Sequence, residues 1–426
     1  MVPEMSGCLL QLAVDVCRKL REGGDTRNVL LSPFMVASSL VMLLHGCESR
    51  SATAEALGRA LHVHWAPLRM ARAFDRHAHA LFAPFRRPKL RVQRFSYTCF
   101  MALFYDHSVQ LTSSYLQMQE RLSYMLDRRD FAHSAEQCRL SMDAMARAVS
   151  SFSFKAGQEI FPPGSVDEKS LLVLLSTIRL EGTWRHSFQP AWGDFHETPE
   201  AAITIRMMRQ KGSFRMFRCS ELEVTALELP YENRDVSLVI LLPVRVDGLA
   251  SLEKRATAAR LLHCVAMLEE RQGVTVCMPR LKLHRVTDLS PVLRALGLGV
   301  LFTDEARFRY LSKAEGVHLS SVRHVAVLHV NSKGASQSED DRAAARRRSS
   351  IGAASAVMSP PSTTASSSVE SPLPLDWSFA DVESGTDEPS SAQFTVDRPF
   401  MLLVLKRRPD IVLLLGSVKK LTPPKL

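Results

Sequence analysis

"FMLLVLKRRPDIVLLLGSV", Phe400 to Val418, decides how this chain is organised. Two apolar runs flank "KRRPD", a polar turn with a proline, which predicts a β-hairpin with both faces of its strands covered. Two short strands do not make a stable domain by themselves. The hairpin must therefore pack into the body that precedes it. Between Gly334 and Gln393, however, the chain is rich in Ser, Pro, Ala and acids and poor in large apolar residues. A polar segment between two parts of one body is an excursion, not an interdomain linker. The expected organisation is one domain over residues 1–426, an exposed loop at 334–393, and C-terminal strands at 394–426 that return to the body. Loops of that length usually carry function.

Working outward, "NVLLSPFMVASSLVMLL", Asn28 to Leu44, predicts a short strand, a turn at Ser32-Pro33 and a buried helix. Near the start, Leu9, Ala13, Val16 and Leu20 share one helical face. Asp15 interrupts the apolar run and no basic residue precedes it, so the segment reads as an amphipathic helix and not as a signal peptide. Further helices are expected around Thr53–Leu61, Leu68–Phe82 and Ser113–Leu126. From Ser170 onward strands dominate. "LLVLLSTIRL", Leu171 to Leu180, suits a central strand, and "VTALELPY" and "VSLVILLP" read as two strands around the turn Glu232-Asn233-Arg234-Asp235.

Composition excludes more than it assigns. Hydrophobic content of 46% and charged content of 23% are those of an ordinary soluble globular protein. The net charge of +10 favours acidic partners, but the basic residues are scattered. The densest run outside the long loop, "RRPKLRVQR", offers Arg86, Arg87, Lys89 and Arg91 as a weak polyanion site; a solvated loop entering a strand is the simpler account. No apolar run is long enough to cross a membrane. A monomer is expected, placed in the cytoplasm by the lack of a signal-peptide pattern, with an unconventional export signal as the open alternative. The eight cysteines are dispersed without a CxxC pair, which favours reduced thiols. The pair His62 and His64 lacks further ligands at useful spacing, so no metal is expected. There is no phosphate loop, no HExxH and no GxSxG. Neither an enzyme nor a cofactor is expected.

Several segments together resemble the serpin family. "NVLLSPFMVASSLVMLLHG" is similar to its strand, Ser-Pro turn and helix. "IFPPGSVDEKSLLVLLSTIRLEGTW" (Ile160 to Trp184) resembles the approach to the third strand of its main sheet, ending in Gly-x-Trp. "MMRQKGSFRM", "LELPYENRDVSLVILLP", "MPRLKLHRVTDLSPVLRALGLGVLF", "VRHVAVLHVNSKG" and "FTVDRPFMLLVLKRRPDIVLLLGSV" follow in the family's order. The resemblance covers nearly the whole chain. It implies an α+β serpin fold with three β-sheets, a large mostly parallel main sheet of five strands, about eight or nine helices and an exposed reactive-centre loop. It also implies a mechanism: a serine protease cleaves the loop, and the loop inserts into the main sheet as a new strand, carrying the acyl-enzyme with it and distorting its active site. Such an inhibitor needs no catalytic residues.

Site residues follow from the resemblance one by one. Gly334, Ala335, Ser336, Gln337 and Ser338 form the hinge. Counting from Gly334 at the family's spacing puts the scissile bond at Arg348-Ser349, bait for a trypsin-like protease whose pocket carries a carboxylate. Counting back from Phe394 lands near Thr386 instead, and an insert at about Ile351–Glu388 reconciles the two. A solvated basic cluster is the bland alternative for Arg346–Arg348. The sheet-opening region maps to Ser32, Ser176, His324 and Trp184, with Met35 where the family has a second serine, and Arg280 facing Ser332 where the family has an acid. The hinge departs most from the family: Glu339, Asp340 and Asp341 follow it, and as a strand neither face would be free of charge past Ser338. Two functions stay open. One is an inhibitor of a trypsin-like serine protease. The other is a non-inhibitory serpin acting as a binding protein or simple substrate.

Overall fold

The computed structural model describes residues 2–63, 95–122, 124–150, 159–232, 235–335, 392–407 and 411–421. Eight α-helices lie among them. These are α1 (Val2–Glu22), α2 (Pro33–Gly46), α3 (Ala52–Ala60), α4 (Ser113–Leu122), α5 (Phe131–Ser150), α6 (Leu249–Arg255), α7 (Ala258–Ala266) and the short α8 (Ser290–Leu293). The strands are β1 (Val29–Leu31), β2 (Phe95–Asp106), β3 (Met125–Arg129), β4 (Leu172–Thr183), β5 (Gln189–Thr198), β6 (Ala201–Cys219), β7 (Val224–Pro230) and β8 (Val236–Pro243). They continue with β9 (Glu269–Pro279), β10 (Leu281–Asp288), β11 (Leu319–Asn331), β12 (Gly334–Ala335), β13 (Gln393–Thr395), β14 (Phe400–Lys406) and β15 (Ile411–Val418).

The hairpin expected at Phe400–Val418 is β14–β15. Its strands pair antiparallel from Phe400↔Val418 to Lys406↔Ile411, β14 also pairs β8, and β15 also pairs β1. Every residue of β8 and β15 is buried, so the continuous apolar runs cover both faces of a middle layer. At Gly416 the strands approach so closely that a Cβ would sit 2.9 Å from the Leu402 side chain and 3.2 Å from that of Leu30.

The main sheet runs β10-β11-β12-β4-β2-β3. It is mixed, which corrects the mostly parallel sheet that the resemblance implies. β11–β4 and β2–β3 are parallel, β10–β11 and β2–β4 antiparallel, and β12 is antiparallel to both of its neighbours. The other nine strands form one hydrogen-bonded sheet. Its two halves share β6, whose early residues pair β5 and β9 and whose last five pair β7, so the second and third sheets of the family pattern are continuous here.

The main sheet separates two cores. On one side α2 packs, with Leu174, Ile178 and Leu180 of β4 and Val322, Ala326 and Leu328 of β11 against Phe34, Met35 and Val41. On the other side α5 lies across β2 and β4, with Phe131, Met142 and Ala146 over Ala102, Phe104, Val173, Leu175, Val325 and Val327. The alternation of partners along β4 and β11 is the period of two expected of a strand. α5 is tied down by Asp143, whose carboxylate accepts the backbone N–H groups of Ile160 (2.7 Å) and Phe161 (2.9 Å). Gly416→Ala is expected to lower stability by roughly 1–3 kcal/mol through overpacking, read as a thermal midpoint several degrees lower. An unchanged midpoint would show that β15 can move away from Leu402.

Candidate functional site

The site is the seam between β4 and β11. These strands pair in parallel from Leu172 to Leu180, with Ser176 beside His324. Both residues face α2, whose N-terminus ends there. Ser32 caps the helix through its side chain, accepting the Met35 N–H at 3.2 Å. The Ser32 backbone N–H in turn donates to His324 Nε2 at 3.0 Å. Because Nε2 accepts, Nδ1 carries the ring proton and donates to Ser176 Oγ at 2.9 Å. One imidazole thus bridges β11, β4 and the head of α2. His324 and Ser32 are wholly buried and Ser176 is nearly so. Burial holds His324 down to about 3, against a weaker opposing hydrogen bond toward Ser176, so the ring is neutral near pH 7.

The neighbouring hydroxyls are satisfied within their own helix. Ser38 Oγ donates to the Phe34 carbonyl at 2.7 Å, and Ser39 Oγ to that of Met35 at 3.0 Å, with Met101 Sδ 3.6 Å from the same hydroxyl. Met35 contributes its backbone N–H to the cluster and its side chain to the core. Ser39 and Met101 were not singled out in the sequence. Their only signal there is a serine one turn after Met35 and a methionine in an apolar strand.

At the upper end of the seam stands Trp184, eight residues beyond Ser176 and so about 26 Å along the strand. Trp184 does not touch the His324 cluster. Its backbone N–H donates to the Lys333 carbonyl (2.9 Å), its indole Nε1 to the Asn331 carbonyl (2.9 Å), and the Phe188 N–H to the Ser332 carbonyl (2.8 Å). The indole stacks on Tyr231 with centroids 4.5 Å apart and leans on Phe188. Arg280 has a buried Nε without a partner among the described residues, and Ser332 offers it no carboxylate.

Gly334 and Ala335 form β12, lying between the ends of β4 and β11. Gly334 pairs with Thr183 and Asn331, and Ala335 with Gly182 and Val330. Ser336, Gln337, Ser338, Glu339, Asp340, Asp341, Arg348 and Ser349 lie outside the described residues, as do Arg86, Arg87, Lys89 and Arg91. His62 Nε2 lies 2.7 Å from Asp15, and His64 is outside the described residues. Among those described, no group of three His, Cys, Asp or Glu is placed to hold a metal ion.

A family model described as Serpin (serine protease inhibitor) matches residues 9–421. This chain belongs to the serpin family. Similar curated proteins include Ipis-1 of Ixodes persulcatus and Iris of Ixodes ricinus, each 30% identical over 99% of this chain and 100% of its own length. The leukocyte elastase inhibitor of Bos taurus is 29% identical over 78% of this chain and 86% of its own. Among solved structures, uncleaved ovalbumin superposes with a TM-score of 0.77 at 20% identity, over 98% of this serpin and 100% of that chain. Thyroxine-binding globulin in complex with thyroxine gives 0.77 at 18% identity, over 98% and 99%. At these identities the structures establish the fold alone.

The buried His324 is expected to make this serpin less stable in acid. A histidine whose folded value lies below its unfolded value of 6.5 binds its proton preferentially in the unfolded chain. The stability it contributes is present above pH 6.5 and is lost as pH falls toward 3, at up to about 1.4 kcal/mol per pH unit. His45, held down to about 4 by burial, adds in the same direction. His324→Gln is expected to flatten the dependence of the unfolding free energy on pH between 6.5 and 4, read from urea unfolding. An unchanged slope would assign the acid sensitivity elsewhere. Ser176→Ala, which orphans the Nδ1–H, is expected to destabilise by about 1–3 kcal/mol in urea unfolding.

Proposed function

We propose that this serpin inhibits a trypsin-like serine protease, with Arg348-Ser349 as the scissile bond in an exposed loop at 334–393 of a single serpin domain. The observation that carries the reading is β12. The first two hinge residues already lie between β4 and β11, antiparallel to both and in register with both. The seam below them is closed by direct pairing of β4 with β11. Insertion needs a started strand and a sheet that can part, and parting would break the β4–β11 ladder and the Ser176–His324 hydrogen bond across it, while the Ser32 bond holds His324 to the head of α2. Arg348 would supply a guanidinium for a carboxylate-lined specificity pocket.

The register of β12 also specifies what an inserted loop would meet. Gly334↔Thr183 and Ala335↔Gly182 continue one for one to Glu339↔Ile178 and Asp341↔Ser176 on β4. On the other side, Val330↔Ala335 continues to Glu339↔Ala326 and Asp341↔His324. Directly opposed residues share a face, so Ala335, Gln337, Glu339 and Asp341 would face α2. Glu339 would enter the apolar core, and Asp341 would arrive between Ser176 and His324. Asp340 and Arg342 would fall on the α5 side. Neutralising a carboxylate of ordinary pKa at pH 7 costs about 4 kcal/mol. Protonating His324 beside Asp341 is the cheaper route for that pair, because the two charges then offset each other. Either way the inserted form binds more protons than the native form, so acid favours insertion.

The same residues favour a second reading at neutral pH, a non-inhibitory serpin whose loop is cleaved without inserting. Mixing the protein with trypsin separates the two. Inhibition predicts a covalent complex that survives denaturant, and clean cleavage near Arg348 with no complex and no rise in thermal stability at any pH overturns it. Within the inhibitory reading, the stability gained on cleavage is expected to be larger at pH 5 than at pH 7.5. The variant E339A/D341A is expected to gain as much at pH 7.5 as the parent does at pH 5.

A further inference from the structure

The cysteines are dispersed along the sequence, yet the fold brings two of them together. Cys219 is the last residue of β6, and Cys264 lies in the last turn of α7. Phe217 and Cys219, two residues apart on one strand, project from the same face of β6. α7 covers that face: the Phe217 ring meets the His263 ring edge-on, with centroids 6.2 Å apart. The buried positions of α7 are Ala258, Leu261, Cys264 and Val265, the spacing of a single helical stripe. Cys219 and Cys264 thus enter one apolar cluster from opposite walls, among Leu222, Leu261 and Leu268. There the two thiols share a hydrogen bond.

Both thiols are free and shielded, Cys219 at 5% exposure and Cys264 at 0%. Other buried cysteines satisfy their S–H groups on the backbone: Cys47 donates to the Leu43 carbonyl at 3.3 Å and Cys138 to that of Asp130 at 3.5 Å. An S–H facing another sulfur in a dry cluster is a weak contact, because thiols donate and accept poorly. It is also the arrangement from which a disulfide forms with least movement of the backbone, since the two sulfurs already meet. The chain between them, residues 219–264, carries β7, β8 and α6.

We propose that Cys219 and Cys264 form a disulfide under oxidising conditions, and that this bond staples α7 to the end of β6. The oxidant is a small disulfide of the glutathione class. One cysteine, as its thiolate, attacks a sulfur of the oxidant and releases one small thiol; the second then attacks the mixed disulfide and releases the other. Two electrons pass to the oxidant, and the two protons leave on the small thiols. Burial, and then the neighbouring Cys219 thiol, pushes Cys264 up, so the closed cluster holds little of the reactive thiolate. Exchange therefore runs while the chain folds or when α7 lifts from the sheet, and the same burial shields the finished bond. The ring so closed contains β8, on which β14 of the C-terminal hairpin is paired. A cross-link over a ring of that length stabilises mainly by restricting the unfolded chain. The staple does not depend on whether the loop traps a protease.

The test incubates the full-length protein in glutathione buffers of graded reduction potential, with urea below the unfolding transition to let α7 open. Free thiols are then blocked with N-ethylmaleimide after denaturation, and unreduced peptides are mapped by mass spectrometry. A linked Cys219–Cys264 peptide is expected in the oxidising buffers, while Cys47 and Cys138 still take the label. The linked form should unfold at a thermal midpoint a few degrees above the reduced form, and dithiothreitol added to the unfolded chain should abolish the difference on a second scan. C219A/C264A should show one midpoint in both buffers; should that variant fold poorly, the peptide map and midpoints of the unaltered chain decide alone. The proposal is overturned if both cysteines stay fully labelled in the most oxidising buffer. It is equally overturned if they end as glutathione adducts or pair with other cysteines, or if the linked form is no more stable than the reduced one.

Discussion

The direct pairing of β4 with β11 is the constraint on which the rest of the molecule depends. Both strands are buried on two faces, one under α2 and one under α5. Strands in that position have no water to satisfy a parted ladder, so they pair with each other or with a strand placed between them. The upper end of the seam holds Gly334 and Ala335, and the lower part holds a closed parallel ladder. His324 sits in the closed part and joins both strands to the capped end of α2. Its neutrality matters: a neutral ring accepts from Ser32 and donates to Ser176, whereas a protonated ring has two donors and loses the first bond.

The hinge chemistry acts on the same seam. An inserted strand would gain backbone hydrogen bonds on both edges, each worth a net ~1 kcal/mol. Against that gain stand Glu339 and Asp341, each a burial problem of several kcal/mol when charged. Under the proposed insertion the balance would be set by protons, because a carboxylate beside His324 would offset the desolvation that keeps the ring neutral in the closed sheet.

Much of the architecture was legible in the sequence, for a physical reason: strands covered on both faces leave nearly continuous apolar runs. β4, β8, β14 and β15 are such runs, and the face of α1 carrying Leu9, Ala13, Val16 and Leu20 is buried as its spacing predicts. α5 was missed because its buried face includes Arg139 and Asp143, polar residues whose burial makes sense only beside the backbone of 160–161. The 19-residue β6 was hard to read because its exposed basic residues, Arg206, Arg209, Lys211, Arg215 and Arg218, fall at irregular spacing and its register shifts between Gly212 and Phe214. The expected helix at Ser113–Leu126 ends at Leu122, and Met125 already belongs to β3. Ser32, Ser176 and His324 are separated by more than a hundred residues at each step, so only the family resemblance could group them. The mixed main sheet follows from pairings that no local pattern encodes.

The most direct measurement of the central claim bypasses the protease altogether. A synthetic peptide with the sequence of residues 334–348 would be incubated with the intact protein, and its uptake followed by hydrogen exchange at the amides of β4 and β11. The account predicts little protection at pH 7.5 and growing protection toward pH 5, while the same peptide with alanine at the positions of Glu339 and Asp341 protects at both. Equal uptake of the natural peptide at pH 7.5 and pH 5 would contradict it.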